Sequence, residues 1–92
     1  MRIQWTEPAS RNLISIGDYT RKHLGVARAR ATALQISDGV NSLKQFPDLG
    51  RIRRRSGTRE LVFPGLPFLA VYRHREEEIE VIRILHGAQR WP

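Results

Sequence analysis

Apolar residues along this 92-residue chain change their period once, close to Pro47. Before that point they recur every three or four positions. After it they alternate or run in short blocks. Ala9, Leu13, Ile16, Thr20 and Leu24 follow one another at helical steps and define one face of a helix. Thr6, ahead of Glu7-Pro8, reads as its start: the hydroxyl can accept from orphan amides, an acid sits in the first turn, and proline is tolerated there. Gly25 is expected to end it as a left-handed cap. Val26, Ala29, Ala33, Ile36, Val40, Leu43 and Phe46 form a second stripe, with Arg28, Arg30, Gln35, Asp38 and Lys44 elsewhere around the axis. Two helices joined by about one residue must fold back as a hairpin. Gly39 costs ~1 kcal/mol against alanine inside a helix, and so is expected to mark a close approach of backbones.

Phe46-Pro47-Asp48-Leu49-Gly50 stops the helical pattern and turns the chain. Arg51–Arg55, Thr58–Phe63, Phe68–His74 and Ile79–His86 then read as short strands, separated by Ser56-Gly57, Pro64-Gly65-Leu66-Pro67 and the acidic run Glu76-Glu77-Glu78. That acidic run is read as a solvated hairpin tip without a function of its own. Met1–Trp5 can add an edge strand. The expectation is one α+β domain over residues 1–92: an N-terminal strand, then an antiparallel helical hairpin on one face of a mainly antiparallel sheet of three or four strands. Alternation in the last strand places Ile82 and Ile84 with Glu80 and His86, and Arg83 with Ile79, Val81 and Leu85. A two-residue turn at Ser56-Gly57 sets Arg53 opposite Glu60 as a cross-strand ion pair, stabilising by roughly 0.2–1 kcal/mol.

Composition narrows the function classes. There is no cysteine, so neither a disulfide framework nor a thiolate nucleophile is available. The first residues turn polar at Thr6-Glu7 and no long apolar run follows, which argues against a secretory leader and a membrane span and makes the cytoplasm the expected location. Sixteen Lys and Arg against nine Asp and Glu give a net charge of +7, which favours an acidic partner: nucleic acid, an acidic protein or an anionic surface. Fourteen of the cations are arginine, and Arg51, Arg53, Arg54, Arg55 and Arg59 fall within nine residues. That bias suits bidentate binding of phosphate or carboxylate, and it equally suits a GC-rich genome.

Few residues offer catalysis. His23, His74 and His86 lack ligand-like spacing and no metal motif is present, so neither metal nor cofactor is expected. There is no phosphate-binding glycine loop and no nucleophile elbow. Cleavage of RNA through its 2′-hydroxyl needs a base, an acid and cations for the phosphate; Glu60, His86 and Arg51, Arg53, Arg59 or Arg83 could fill those roles. Each also has a structural reading: Glu60 as the partner of Arg53, His86 as a strand-end histidine bonded to backbone, the arginines as a solvated edge. Trp91 could stack on a base or fold back over the core.

Trp5 with Ala9–Leu13, the Phe46-Pro47-Asp48-Leu49-Gly50-Arg51 turn, Gly57-Thr58-Arg59-Glu60-Leu61-Val62, Val71-Tyr72-Arg73 and the ending Ile84-Leu85-His86-Gly87-Ala88-Gln89-Arg90-Trp91-Pro92 occur together and in order. In these the chain resembles the RelE/ParE superfamily, the toxins of bacterial type II toxin–antitoxin modules, and more closely its ParE side. The resemblance implies the helical hairpin on a sheet, growth arrest, and neutralisation by an acidic cognate antitoxin. It implies contact with operator DNA only through that antitoxin. On the ParE side the implied target is DNA gyrase, without catalytic residues. The alternative is a ribosome-dependent endoribonuclease that cuts messenger RNA without a metal; Arg59, Glu60, Arg83 and His86 would carry that reaction. Residues implied for target or phosphate binding are Arg51, Arg53, Arg54, Arg55, Arg59, Arg73 and Arg83. No lysine lies between Arg51 and Arg83, and HGAQRWP replaces the terminal pattern of the ribonucleases.

Overall fold

A computed structural model describes residues 1–53 and 57–87. The order is β1 (Arg2–Trp5), α1 (Glu7–Leu24), α2 (Val26–Asn41), a 3-10 turn (Ser42–Lys44), β2 (Arg51–Ile52), β3 (Arg59–Val62), β4 (Phe68–Arg75) and β5 (Glu78–His86). Five strands form one sheet in the order β1-β5-β4-β3-β2, antiparallel except for β1, which lies parallel to β5. The N-terminal strand is thus an edge strand as expected. The parallel pairing follows from the connection, since the helical hairpin carries the chain away before it returns through β2 to β5.

Thr6 ties helix to sheet. Its hydroxyl oxygen accepts from the Ala9 amide at 3.2 Å and donates to the Ile82 carbonyl at 2.8 Å. One side chain therefore caps α1 and fixes its start against β5. Gly25 ends α1 and begins α2 in a single residue: its amide donates to the Arg21 carbonyl and its carbonyl accepts from Ala29. Its φ is positive as expected, at 93°, but ψ is 169°. This is extended backbone of a kind open essentially to glycine, not the left-handed helical cap the sequence suggested.

The core lies between the hairpin and one sheet face. Ala9, Ile36, Val40 and Leu43 meet Leu61, Phe63, Ala70, Tyr72, Ile79, Val81 and Ile84. The helical stripes hold from Ala9 to Thr20 and from Ala29 to Leu43 and fail at Leu24, Val26 and Phe46, which lie exposed. Gly39 does permit a close approach, by a ring and not by backbone: a Cβ there would fall 2.7 Å from Cε1 of Phe63.

Two registers differ from the alternation. Arg51 stands opposite Glu60 and Ile52 opposite Arg59, and the Arg53 amide donates to the Thr58 carbonyl. The pairing is shifted by two from the expected Arg53–Glu60 register, and the connection spans residues 54–57, of which Arg54, Arg55 and Ser56 lie outside the described residues. An even shift keeps every side chain on its face, so Arg53 still reaches Glu60, diagonally. The second difference is a β-bulge. Tyr72 pairs with Val81 but Val71 with Arg83, leaving Ile82 as an extra residue. A bulge moves the alternation by one. Ile84 therefore joins Val81 in the core, instead of sharing a face with Ile82 and Glu80, and Arg83 parts from Val81. The acidic run is a hairpin tip, with Arg75 paired to Glu78 and Glu76 at φ 48°.

Candidate partner-binding site

The sequence brings arginines to the β2–β3 edge, and the fold then ties them down. Glu60 sits between Arg51 at 3.3 Å and Arg53 at 3.5 Å. Arg73 pairs with Glu80 at 3.3 Å across β4 and β5. Arg83 donates from Nε to the Asn12 side chain at 2.8 Å, and the same oxygen accepts from the Ile84 amide. Asn12 thereby closes the edge of β5 that β1 leaves open. Arg54, Arg55 and Trp91 lie outside the described residues.

Arg59 serves the loop. It donates to the Gly50 carbonyl at 2.8 Å and the Asp48 carbonyl at 3.2 Å, and its Nε lies 3.6 Å from the Asp48 carboxylate. Tyr72, fully buried, accepts from the Gly50 amide at 2.9 Å and donates to the Pro47 carbonyl at 2.8 Å. His74 Nδ1 lies 2.9 Å from the Asp48 carboxylate. Three β3 and β4 side chains thus clamp the turn after the helices. Space is tight there, since a Cβ on Gly50 would lie 2.7 Å from the Glu60 carbonyl and from the Tyr72 ring. The hydrogen bond from His74, then the charge of Arg59, hold the Asp48 carboxyl below its ordinary range despite an opposing desolvation. Burial pushes the Tyr72 phenol above its ordinary value, partly offset by the Gly50 amide. The hydroxyl is therefore neutral and able to donate at physiological pH.

Beside this clamp runs a groove of about 820 Å³ between α2 and β3, with Leu34, Gly39, Leu49, Leu61, Val62 and Phe63 among its lining. Leu34, Leu49 and Val62 are 56%, 57% and 53% exposed, a large apolar presentation for so small a chain. β2 pairs only with Arg59 and Glu60, so among the described residues Leu61 and Val62 have no strand neighbour on that side. The groove thus combines apolar walls with an open sheet edge, a form suited to a peptide segment. The sequence reading missed it, along with Asn12, Asp48, Tyr72 and His74. The available signal was Leu34, an apolar residue off the buried stripe of its helix.

The four residues considered for RNA cleavage do not converge. Arg59 lies in register with Tyr72 and faces the helices, whereas Glu60 lies in register with Val71 and Arg83 on the other face. His86 pairs with Phe68 at the far end of β5, its ring edge-on to Phe68 at 5.9 Å between centroids. By alternation His86 shares the helix side with Ile84. The set is divided between two faces. No group of three metal-ligating side chains occurs among the described residues.

Fold and groove together define a small α+β protein with an apolar groove and an open sheet edge along one side. The family model described as the ParE toxin of type II toxin-antitoxin system, parDE, matches residues 3–91, and the chain belongs to that family. It is 38% identical over 91 residues to "Putative toxin Y4kP" of Sinorhizobium fredii (strain NBRC 101917 / NGR234), covering 99% of this chain and 93% of that protein. It is 27% identical over 88 residues to "Toxin RelE2" of Caulobacter vibrioides (strain ATCC 19089 / CIP 103742 / CB 15), covering 96% and 97%. A solved structure titled "Chromosomal ParDE TA system from P. aeruginosa" superposes with a TM-score of 0.83 at 30% identity, over 94% of this chain and 95% of that one. The ParE-side resemblance read from the sequence is borne out.

Proposed function

We propose that this toxin arrests growth in the cytoplasm by binding and inhibiting DNA gyrase, as a non-catalytic ligand. The observation that carries the choice is the separation of Arg59, Glu60, Arg83 and His86. Phosphodiester cleavage needs base, acid and cation around one reacting phosphate. Here Arg59 supports a loop, Glu60 is engaged by two arginines, and His86 lies on the opposite face from Glu60. The sheet edge at Arg51 and Arg53, with Glu60 between them, leaves one net positive charge for target contact.

Neutralisation comes from an acidic antitoxin segment seated in the α2–β3 groove. Its apolar side chains meet Leu34, Leu49 and Val62, and its carboxylates meet a protein of net charge +7. No helix among the described residues is long and apolar enough to cross a membrane.

The test uses purified toxin in two reactions. Inhibition of gyrase supercoiling without cutting of a ribosome-bound message is the expected result. Cutting of the message with unaffected supercoiling would replace this reading with the endoribonuclease one.

A further inference from the structure

The described cations divide into two populations. Arg51, Arg53, Arg59 and Arg73 each face a carboxylate, and Arg83 is held by Asn12. The side chains of Lys22, Arg28, Arg30, Lys44 and Arg75 have no ion-pair or hydrogen-bond partner among the described residues. Lys44 and Arg75 stand singly after α2 and at the end of β4, whereas Lys22, Arg28 and Arg30 lie together at the tip of the helical hairpin, in the last turn of α1 and the first turns of α2. From Tyr19 to Ser37 the chain carries Arg21, Lys22, Arg28 and Arg30 and no acid. Of these, only Arg21 is paired, with Asp18 at 3.2 Å.

Lys22, in the last turn of α1, is favoured by that helix's macrodipole, but fold stability does not account for Arg28 and Arg30. The first turn of α2 holds no acid, and cations near a helix N-terminus oppose the macrodipole. The tip is also rigid, since Gly25 is hydrogen-bonded into both helices. The groove, the cleft beside Glu76–Glu78 and the cleft at Tyr19, Phe68 and His86 leave residues 20–30 out of their linings. Leu24 and Val26 are exposed beside these cations, but none of those three clefts is lined by the tip, so they give a protein partner's anchoring side chain no pocket there. For a phosphate backbone, positioned cations are sufficient.

We infer that Lys22, Arg28 and Arg30 form a phosphate-contacting surface through which the toxin itself touches duplex DNA, in addition to any contact made by its antitoxin. Lys22, Arg28 and Arg30 are absent from the groove lining, which begins at Ala31, so an antitoxin segment seated there leaves the apex cations able to reach a duplex. The inference is independent of the gyrase reading: a toxin that never touches DNA could still inhibit gyrase.

The probe is a fluorescent 30-base-pair duplex of arbitrary sequence, titrated with the full-length toxin from 50 to 200 mM KCl and read by anisotropy. Each phosphate contact adds about 0.9 to the slope of log affinity against log salt, so three contacts add roughly 2.7 and lose about 40-fold across that range. Replacing Lys22, Arg28 and Arg30 together by Gln is expected to remove most of that slope. Arg51→Gln with Arg53→Gln is expected to leave the slope within one unit of wild type. Circular dichroism shows whether each variant is folded. An unchanged slope in the hairpin variant, loss of the slope in the sheet-edge variant, or absence of duplex binding by the folded wild type at 50 mM would each overturn the inference. So would poly-glutamate competing as well as unlabelled duplex at equal charge, which would mark the tip as a site for an acidic protein.

Discussion

Tyr72→Phe removes one oxygen from the centre of the clamp and almost nothing else. The hydroxyl accepts from the buried Gly50 amide at 2.9 Å and donates to the Pro47 carbonyl at 2.8 Å. With phenylalanine the amide loses its acceptor, and an unpaired buried donor costs about 1–3 kcal/mol. The Pro47 carbonyl is half-buried and can turn to water, so it adds little. A loss near 2 kcal/mol is a large share of the ~5–15 kcal/mol that holds a domain folded. At about 4–8 °C per kcal/mol for a domain of this size, it lowers Tm by roughly 8–16 °C. Urea unfolding followed by circular dichroism measures the loss, and the m value should not change because the surface exposed on unfolding is unaltered. Hydrogen exchange at the Gly50 amide should accelerate by more than at core strand amides, since the 47–51 turn opens first. The exposed Tyr19→Phe is the control and should stay within about 0.5 kcal/mol. A Tyr72→Phe loss below about 0.5 kcal/mol, or unchanged protection at Gly50, would refute the view that this hydroxyl fixes the turn.

Other consequences are equally direct. Gly39→Ala gains ~1 kcal/mol of helix propensity but drives a methyl into the buried Phe63 ring, an overpacking of about 1–3 kcal/mol, so chemical denaturation should show a net loss. Adding Phe63→Leu should make the pair less than additive. Gly25→Ala must hold φ near 93° with a side chain present, and should lower stability by about 1–3 kcal/mol in the same assay. The Asp48 carboxyl is shifted downward, so its contact with His74 and Arg59 stabilises the fold above the ordinary value of 3.8 and is lost as pH falls through the lowered one. Asp48→Asn should flatten the acid limb of a stability profile below about pH 4; an identical limb in both proteins would contradict this.

The elements were legible wherever a period ran long enough to state a face. Both helices, the one-residue hairpin and the late strands follow from spacing alone. What was not legible depends on pairings that spacing does not encode. The bulge at Ile82 moves Ile84 into the core, and no local signal in Glu80–His86 announces the extra residue. The arginine cluster invited a reading as a phosphate cradle, because a sequence shows charges but not their partners. Glu60 and Asp48 stand close by in the sequence, but which arginines they engage is decided only when β2 and β3 pair. Tyr72 looked like one strand residue among several, although its hydroxyl proved to hold a turn some 25 residues earlier.

On the proposed function the toxin grips its target and performs no proton transfer of its own. Induction of the wild-type chain and of His86→Ala in a host lacking antitoxin tests it most directly, with DNA-damage signalling and the half-lives of translated messages followed together. Both proteins are expected to arrest growth and raise damage signalling, and neither to shorten message lifetimes. Rapid message loss with the wild type that disappears in a folded His86→Ala protein would contradict it.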